Sequence, residues 1–125
     1  MERWSLNGKV ALVTGASSGL SAHYASVLAT AGADVIVAAR RESVAHQIRD
    51  SILAAGRKCR TACLGVVDGT TIAALRPLLD EADILVNSAG VVRDATALDQ
   101  SAVDWDAIID TNLKAMFLMS QACAR

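Results

Sequence analysis

The sequence predicts an α/β fold, a doubly wound parallel sheet of about four strands with helices on both faces. Three observations carry this. Short β-rich apolar runs alternate with longer stretches of helical periodicity, the first run is apolar throughout as a strand buried on both faces requires, and a glycine-rich turn joins that run to the first helix. The chain has 125 residues, of which 53% are hydrophobic and 20% charged. That supports one core and excludes a disordered tail, a collagen-like repeat or a disulfide miniprotein.

Lys9 to Thr14 is the first strand. Gly19 to Ala31 then places Tyr24, Val27, Leu28 and Ala31 at helical spacing, and Gly32 stands where a left-handed C-cap belongs. The second strand is Asp34 to Ala39, around Val35-Ile36-Val37. Ser43 to Ala55 repeats the helical device through Val44, Ile48 and Ile52, and ends at Gly56. Arg60 to Leu64 is a weaker third strand, and Asp68-Gly69-Thr70 reads as a turn and helix N-cap. The helix it opens, Thr70 to Leu79, is expected to be kinked or short, because Pro77 lacks an amide hydrogen and clashes one turn back.

Asp83 to Asn87 is the fourth strand, and the loop Ser88 to Gln100 follows it. Ser101 and Asp104 resemble a capping box at the start of the longest helical signal, whose apolar arc holds Trp105, Ile108, Ile109, Leu113, Met116 and Phe117. Asn112 falls on that arc, where an unpaired amide would cost roughly 1 to 3 kcal/mol, so it needs a partner. Lys114 projects from a different face and is expected to be solvated; His23 and Tyr24 are expected to fill core or surface.

Composition excludes several functions. Twelve basic side chains face 13 acidic ones, for a net charge of -1, and no basic run exceeds Arg40-Arg41. Nucleic acid is therefore excluded as a partner. Asn7, Asp34, Arg49, Asp68 and Asp83 interrupt every apolar stretch short of a membrane span, and Met1 to Ser5 has no apolar core of a signal peptide, so no membrane is involved and the expected location is the cytoplasm. Cys59, Cys63 and Cys123 are an odd number without metal-ligand spacing and are expected to be reduced core thiols. His23 and His46 show no metal spacing either, so no metal is expected.

Three segments carry binding chemistry. Thr14-Gly15-Ala16-Ser17-Ser18-Gly19-Leu20-Ser21 lies where the first strand turns into the first helix. Backbone N–H groups at such a helix start hold a pyrophosphate, and glycines permit the tight turn and the close approach. Ala38-Ala39-Arg40-Arg41 closes the second strand with no carboxylate for ribose hydroxyls. Two guanidiniums just ahead of a helix N-terminus are in mild conflict with its dipole, which a bound phosphate would relieve, so the pattern points to NADP rather than NAD, the alternative being two solvated surface arginines. Asn87-Ser88-Ala89-Gly90 follows the fourth strand, where small residues let the backbone pass beside a ligand. In a doubly wound sheet the first and fourth strands diverge at the topological switch point, where ligands bind.

These motifs resemble the short-chain dehydrogenase/reductase family, whose signatures are TGxxxGxG after the first strand and NNAG after the fourth. The resemblance covers nearly the whole chain and implies a Rossmann-type fold that binds a nicotinamide dinucleotide, NADP by the arginines. Carried over residue by residue, it assigns Gly15, Ser17, Ser18, Gly19 and Leu20 to the phosphates and Arg40 and Arg41 to the 2'-phosphate. Leu64-Gly65-Val66-Val67-Asp68 is similar to the adenine-contacting segment, with Gly65 where the family carries an aspartate or asparagine, which leaves backbone contact from Val66. Asn87, Ala89 and Gly90 stand beside the cofactor, and Asn87 is expected to tie neighbouring strands together.

Two positions depart from the signatures. Ser21 replaces the third glycine, with packing strain expected rather than lost binding, and Ser88 replaces the second asparagine of NNAG. Asn112 matches the family's catalytic asparagine, which organises a water in the proton relay; read without the family, it is an asparagine bonded to nearby backbone. Carbonyl reduction in the family also uses a tyrosine and a lysine four residues later. The single tyrosine here is Tyr24, and Leu28 stands four positions on.

The resulting expectation is the cofactor-binding half of an NADP-dependent oxidoreductase acting on a carbonyl or secondary alcohol. Residues 1–125 would form an NAD(P)-binding half-domain truncated within the helix that carries Asn112, inactive alone. The alternative is a dinucleotide-binding module or subunit without chemistry. An incompletely covered helix face and a fourth strand at the sheet edge predict self-association as a homo-oligomer, with a small carbonyl or alcohol substrate only if the missing half is supplied.

Overall fold

The computed structural model describes residues 4–15 and 19–125. Its sheet is built from β1 (Val10–Thr14), β2 (Asp34–Ala39), β3 (Cys59–Cys63) and β4 (Ile84–Val86), in the order β3-β2-β1-β4. All pairings are parallel, with Leu12 opposite Ile36 on one side and Leu85 on the other. Valine, isoleucine and alanine dominate β1 and β2 because both faces are covered.

Alternation along the strands divides the core in two. Ala11, Val13, Val35 and Val37 point to the face covered by α1 (Gly19–Thr30) and α2 (Glu42–Ala54). Leu12, Ile36, Ala62 and Leu64 point to the other face, which is covered by α3 (Gly69–Ala74), α4 (Arg76–Glu81) and α6 (Ala115–Ala124). Winding through α1 and α2 lays strands to one side of β1, and the return through α3 and α4 lays β4 on the other side. The carboxyl ends of β1 and β4 therefore diverge, which opens the crevice that positions the site.

Both glycine stops hold. After α1, the Gly32 amide donates to Ala29 and the Ala33 amide to Leu28, with Gly32 at φ 107°. After α2, Gly56 at φ 76° donates to Leu53, and Arg57 donates to Ile52. These are paired Schellman closures that only a residue free of Cβ enters without strain. Asp68 caps α3 through its carboxylate, which accepts from the amides of Thr70 at 2.9 Å and Thr71 at 3.4 Å. The stretch read as one helix from Thr70 to Leu79 is two, α3 and α4, broken at Leu75; Pro77 sits in the first turn of α4, where its missing N–H has no helical acceptor to lose. Ser101 accepts from the Asp104 amide at 3.1 Å, while the Asp104 carboxylate lies 3.8 Å from Arg93, so one half of the capping box forms.

Two helical faces differ from the periodicity reading. In α1 the buried residues are Ser21, Ala25 and Ala29, whereas Tyr24 and Val27 are exposed. Small side chains at four-residue spacing let the helix axis approach the sheet closely, so area buried by large residues is not what seats α1. The last helical stretch runs α5 (Ala102–Ile109), a π-helical turn at Asp110–Lys114, then α6. Ala115 and Met119 are its buried contacts, and Trp105, Leu113, Met116 and Phe117 are exposed. The π turn holds an extra residue, so a count at 3.6 residues per turn from Trp105 loses phase across it.

The cysteines also separate. All three are free, but only Cys59 is buried, and Cys63, at the end of the edge strand β3, is exposed rather than core. Burial pushes the Cys59 thiol up to about 11, against a weaker opposing pull from Arg49. The packing of α1 yields a direct expectation. Ala25→Leu should destabilise the chain by about 1 to 3 kcal/mol through overpacking, whereas Val27→Ala, on the exposed side of the same helix, should lie within about 0.5 kcal/mol of the parent; urea unfolding of both variants checks it.

Candidate cofactor site

β1 ends at Thr14, and Gly15 follows at φ 69°. A Cβ on Gly15 would run into the backbone of Ala89, so the turn after β1 and the loop after β4 are in direct contact. Thr14, 1% exposed, fastens them from behind: its hydroxyl donates to the Val86 carbonyl at 3.3 Å and accepts the Ser88 amide at 3.3 Å. Ser21, at the start of α1, is fully buried, and its hydroxyl donates to the Gly15 carbonyl at 2.7 Å. At this position the serine makes a hydrogen bond that a glycine would not.

Between these walls lies a cavity of about 390 Å³. It brings together Gly15, Arg40, Arg41, Val66, Ala89 and Gly90 from the expected set, and adds Ala39, Leu64, Val67, Val91 and Thr111. Ser17 and Ser18 lie outside the described residues. Gly19 and Leu20 open α1; Leu20 is 64% exposed, and a Cβ on Gly19 would meet nothing, so packing within the chain does not require glycine there. Asn87 does not line this cavity. Its side-chain amide donates to Ser120 Oγ of α6 at 3.4 Å, so it ties β4 to a helix, and the strand-to-strand tie expected of it is made by Thr14.

Arg40 and Arg41 supply the charge of the far wall. Arg49, Arg60, Arg76 and Arg93 each lie against a carboxylate. Among the described residues no carboxylate forms an ion pair with Arg40 or Arg41, and both are exposed at the carboxyl end of β2. Arg41 occupies the N-cap position of α2 and offers no side-chain cap. Two guanidiniums beside a helix start and a cavity, with no ion-pair partner among the described residues, form an anion-attracting corner.

Asn112 sits inside the π-helical turn and is exposed rather than packed on the helix arc. Its Oδ1 accepts the Val91 amide at 2.8 Å and its Nδ2 donates to the Val91 carbonyl at 2.9 Å. The expected partner exists, and it is backbone. This double bond holds the loop after Gly90 against the helix, and a Cβ on Gly90 would lie 3.4 Å from Asn112 Oδ1. Lys114 is exposed, as are His23 and Tyr24. Val91 and Thr111 were missed by sequence reasoning, and Thr14 and Leu64, though within the segments named above, were given no role of their own; Thr14 carried a signal, as the one hydroxyl closing an otherwise apolar strand.

Residues 9–125 match the short chain dehydrogenase family. The chain belongs to the short-chain dehydrogenase/reductase family. It is 39% identical to the 3-oxoacyl-[acyl-carrier-protein] reductase FabG of Escherichia coli (strain K12) over 97% of its own length and 50% of that protein's. To the 2-dehydro-3-deoxy-D-gluconate 5-dehydrogenase of the same organism it is 38% identical, over 100% of this chain and 50% of the relative. The fold superposes on a gluconate 5-dehydrogenase from Burkholderia cenocepacia J2315 in complex with NADP and tartrate, with a TM-score of 0.89 and 31% identity over 98% of this chain and 50% of that one. A short-chain type dehydrogenase/reductase from Mycobacterium marinum gives 0.90 at 35% identity, covering 99% and 52%. The chain spans about half the length of the curated relatives it matches.

For a short-chain dehydrogenase fold the four parallel strands are the part that builds the switch-point crevice. No helix among the described residues is long and apolar enough to cross a membrane. The Asn112 clamp gives a measurable expectation: Asn112→Ala should raise hydrogen exchange at the Val91 amide at least about tenfold, because that amide loses its acceptor, whereas Lys114→Ala should leave it unchanged.

Proposed function

We propose that this chain is the cofactor-binding half of an NADP(H)-dependent short-chain oxidoreductase whose whole protein acts on a carbonyl or secondary alcohol. Alone, it binds the dinucleotide without turning over substrate. The observation that carries this reading is the Arg40-Arg41 corner, without an ion pair among the described residues, on a crevice whose other wall is the Gly15 turn and Ala89-Gly90.

The residues fit the group. Arg40 and Arg41 suit a 2'-phosphate, since a guanidinium fork binds phosphate oxygens two at a time and no competing carboxylate occupies either one among the described residues. The start of α1 presents N–H groups and open space at Gly19 to a pyrophosphate. Leu64 and Val66 offer an apolar wall to a base. When bound, the nicotinamide would supply the hydride. Asn112 is proposed as the catalytic asparagine: Val91 takes one of its amide hydrogens and one acceptor position, which leaves one of each to hold a water. NADP is also held by solved relatives of this chain. Cytoplasmic location and assembly into a homo-oligomer belong to the same proposal.

A second reading, a dinucleotide-binding module without chemistry, is favoured by one fact: Tyr24 is the only tyrosine, and Leu28 rather than lysine stands four residues on. Calorimetric titration with NADPH and NADH tests the cofactor assignment. NADPH is expected to bind at least about tenfold more tightly, and Arg40→Ala to erase that preference, as loss of charge-assisted bonds predicts. Equal affinities, or an unaffected Arg40→Ala variant, would contradict it. Steady oxidation of NADPH by a ketone in the presence of this chain alone would contradict the proposed inactivity.

A further inference from the structure

We propose that Ser21 and Ser88 are a positioning pair that holds the two walls of the cofactor crevice in register. The inference rests on the crevice being the dinucleotide site. Ser21 and Ser88 are the two positions at which the sequence departs from TGxxxGxG and NNAG, one on the β1 side and one on the β4 side. The fold brings these departures together: their hydroxyl oxygens are hydrogen-bonded at 2.9 Å.

Proton counting fixes the direction. Ser21 has one hydroxyl hydrogen and gives it to the Gly15 carbonyl at 2.7 Å, so the hydroxyl hydrogen of Ser88 makes the bond between the two serines. The Ser88 amide in turn donates to Thr14 Oγ1, and the Thr14 hydroxyl to the Val86 carbonyl. A continuous relay thus runs from the Gly15 turn, through Ser21, Ser88 and Thr14, to the end of β4. A glycine at 21 would offer no oxygen to Ser88 and no donor to the Gly15 carbonyl, in a place where Ser21 is wholly buried. A serine at 88, shorter than asparagine, leaves room for the hydroxyl at 21.

The consequence is positional. Gly15 sets where the turn after β1 begins, and the Ala89 backbone lies against it, so whatever fixes Gly15 relative to residue 88 also fixes the width of the crevice between them. The pair acts through the backbone on the cofactor and has no need to touch it.

A double-mutant cycle on the full chain tests the pair, with Ser21→Ala, Ser88→Ala and their combination titrated with NADPH by calorimetry and by the fluorescence of bound NADPH. Each single change is expected to weaken binding about tenfold, and the double no more than either single, since one shared interaction is removed. Ser88→Thr, which keeps the hydroxyl, should retain the parent's affinity. Hydrogen exchange without cofactor reads the coupling separately: Ser21→Ala should speed exchange at the Ser88 amide on the opposite wall. Ser88 is only half-buried, so if Ser21→Ala fails to fold, Ser88→Ala carries the test through weaker NADPH binding and faster exchange in the first turn of α1. Additive losses in affinity, or an opposite wall whose exchange is unchanged, would overturn the pair. If the parent chain does not bind NADPH, the cofactor reading falls and the exchange result alone decides whether the walls are coupled.

Discussion

Gly15 has no room for a Cβ, and much of the structure is arranged around that fact. Its backbone turns at φ 69° against the Ala89 backbone, which puts the end of β1 and the loop after β4 in contact at the point where the strand order reverses. Parallel winding makes these two strands diverge at their carboxyl ends, yet a narrow contact must persist at the base of the crevice for it to have two defined walls. Thr14 and Ser21 supply the hydrogen bonds that hold this contact from the buried side. The cavity, the start of α1 and the Arg40-Arg41 corner are then placed by strand register alone, because Thr14 lies opposite Ala38, two residues before Arg40.

Charge is distributed with the same economy. Arg60 is matched by Glu81 at 2.7 Å across β3 and α4, and Arg93 lies 3.8 Å from Asp104 of α5. Lys9 and Asp83 likewise meet at the amino ends of β1 and β4, at 3.8 Å. At the opposite end of the sheet the two guanidiniums of Arg40 and Arg41 stand without such a match among the described residues. The molecule therefore carries an unbalanced positive corner beside the open end of the crevice, where a negatively charged ligand would complete it.

Much of this was legible in the sequence, for physical reasons that differ by element. β1 and β2 were readable because strands covered on both faces are apolar without interruption, and α1 and α2 stop where read because Gly32 and Gly56 are the residues that tolerate positive φ. The capping of α3 by Asp68 was readable from its side-chain chemistry. The seating of α1 was not, because Ser21, Ala25 and Ala29 contribute by being small, a property that hydrophobic periodicity does not weigh. The last helix misled for another reason: the π-helical turn at Asp110–Lys114 breaks the phase, so the arc holding Leu113, Met116 and Phe117 faces outward while Ala115 and Met119 pack. At the site, Gly15, Val66, Ala89 and Gly90 carried sequence signals, whereas Thr111 reaches the cavity through tertiary placement alone. The contact between Ser21 and Ser88 joins residues far apart in the chain, and no local pattern encodes it.

The central claim is that one crevice, between the ends of β1 and β4 and bounded by the arginine corner, holds the dinucleotide. Site-resolved chemical-shift mapping of the isotope-labelled chain during titration with NADPH tests it most directly. The account predicts that the amides of Gly15, Arg40, Arg41, Val66 and Ala89 to Val91 shift together with one saturation curve, while those of Lys9 and Asp83, at the amino ends of the strands, stay in place. Shifts confined to the amino ends, or a spectrum that NADPH leaves unchanged, would contradict it.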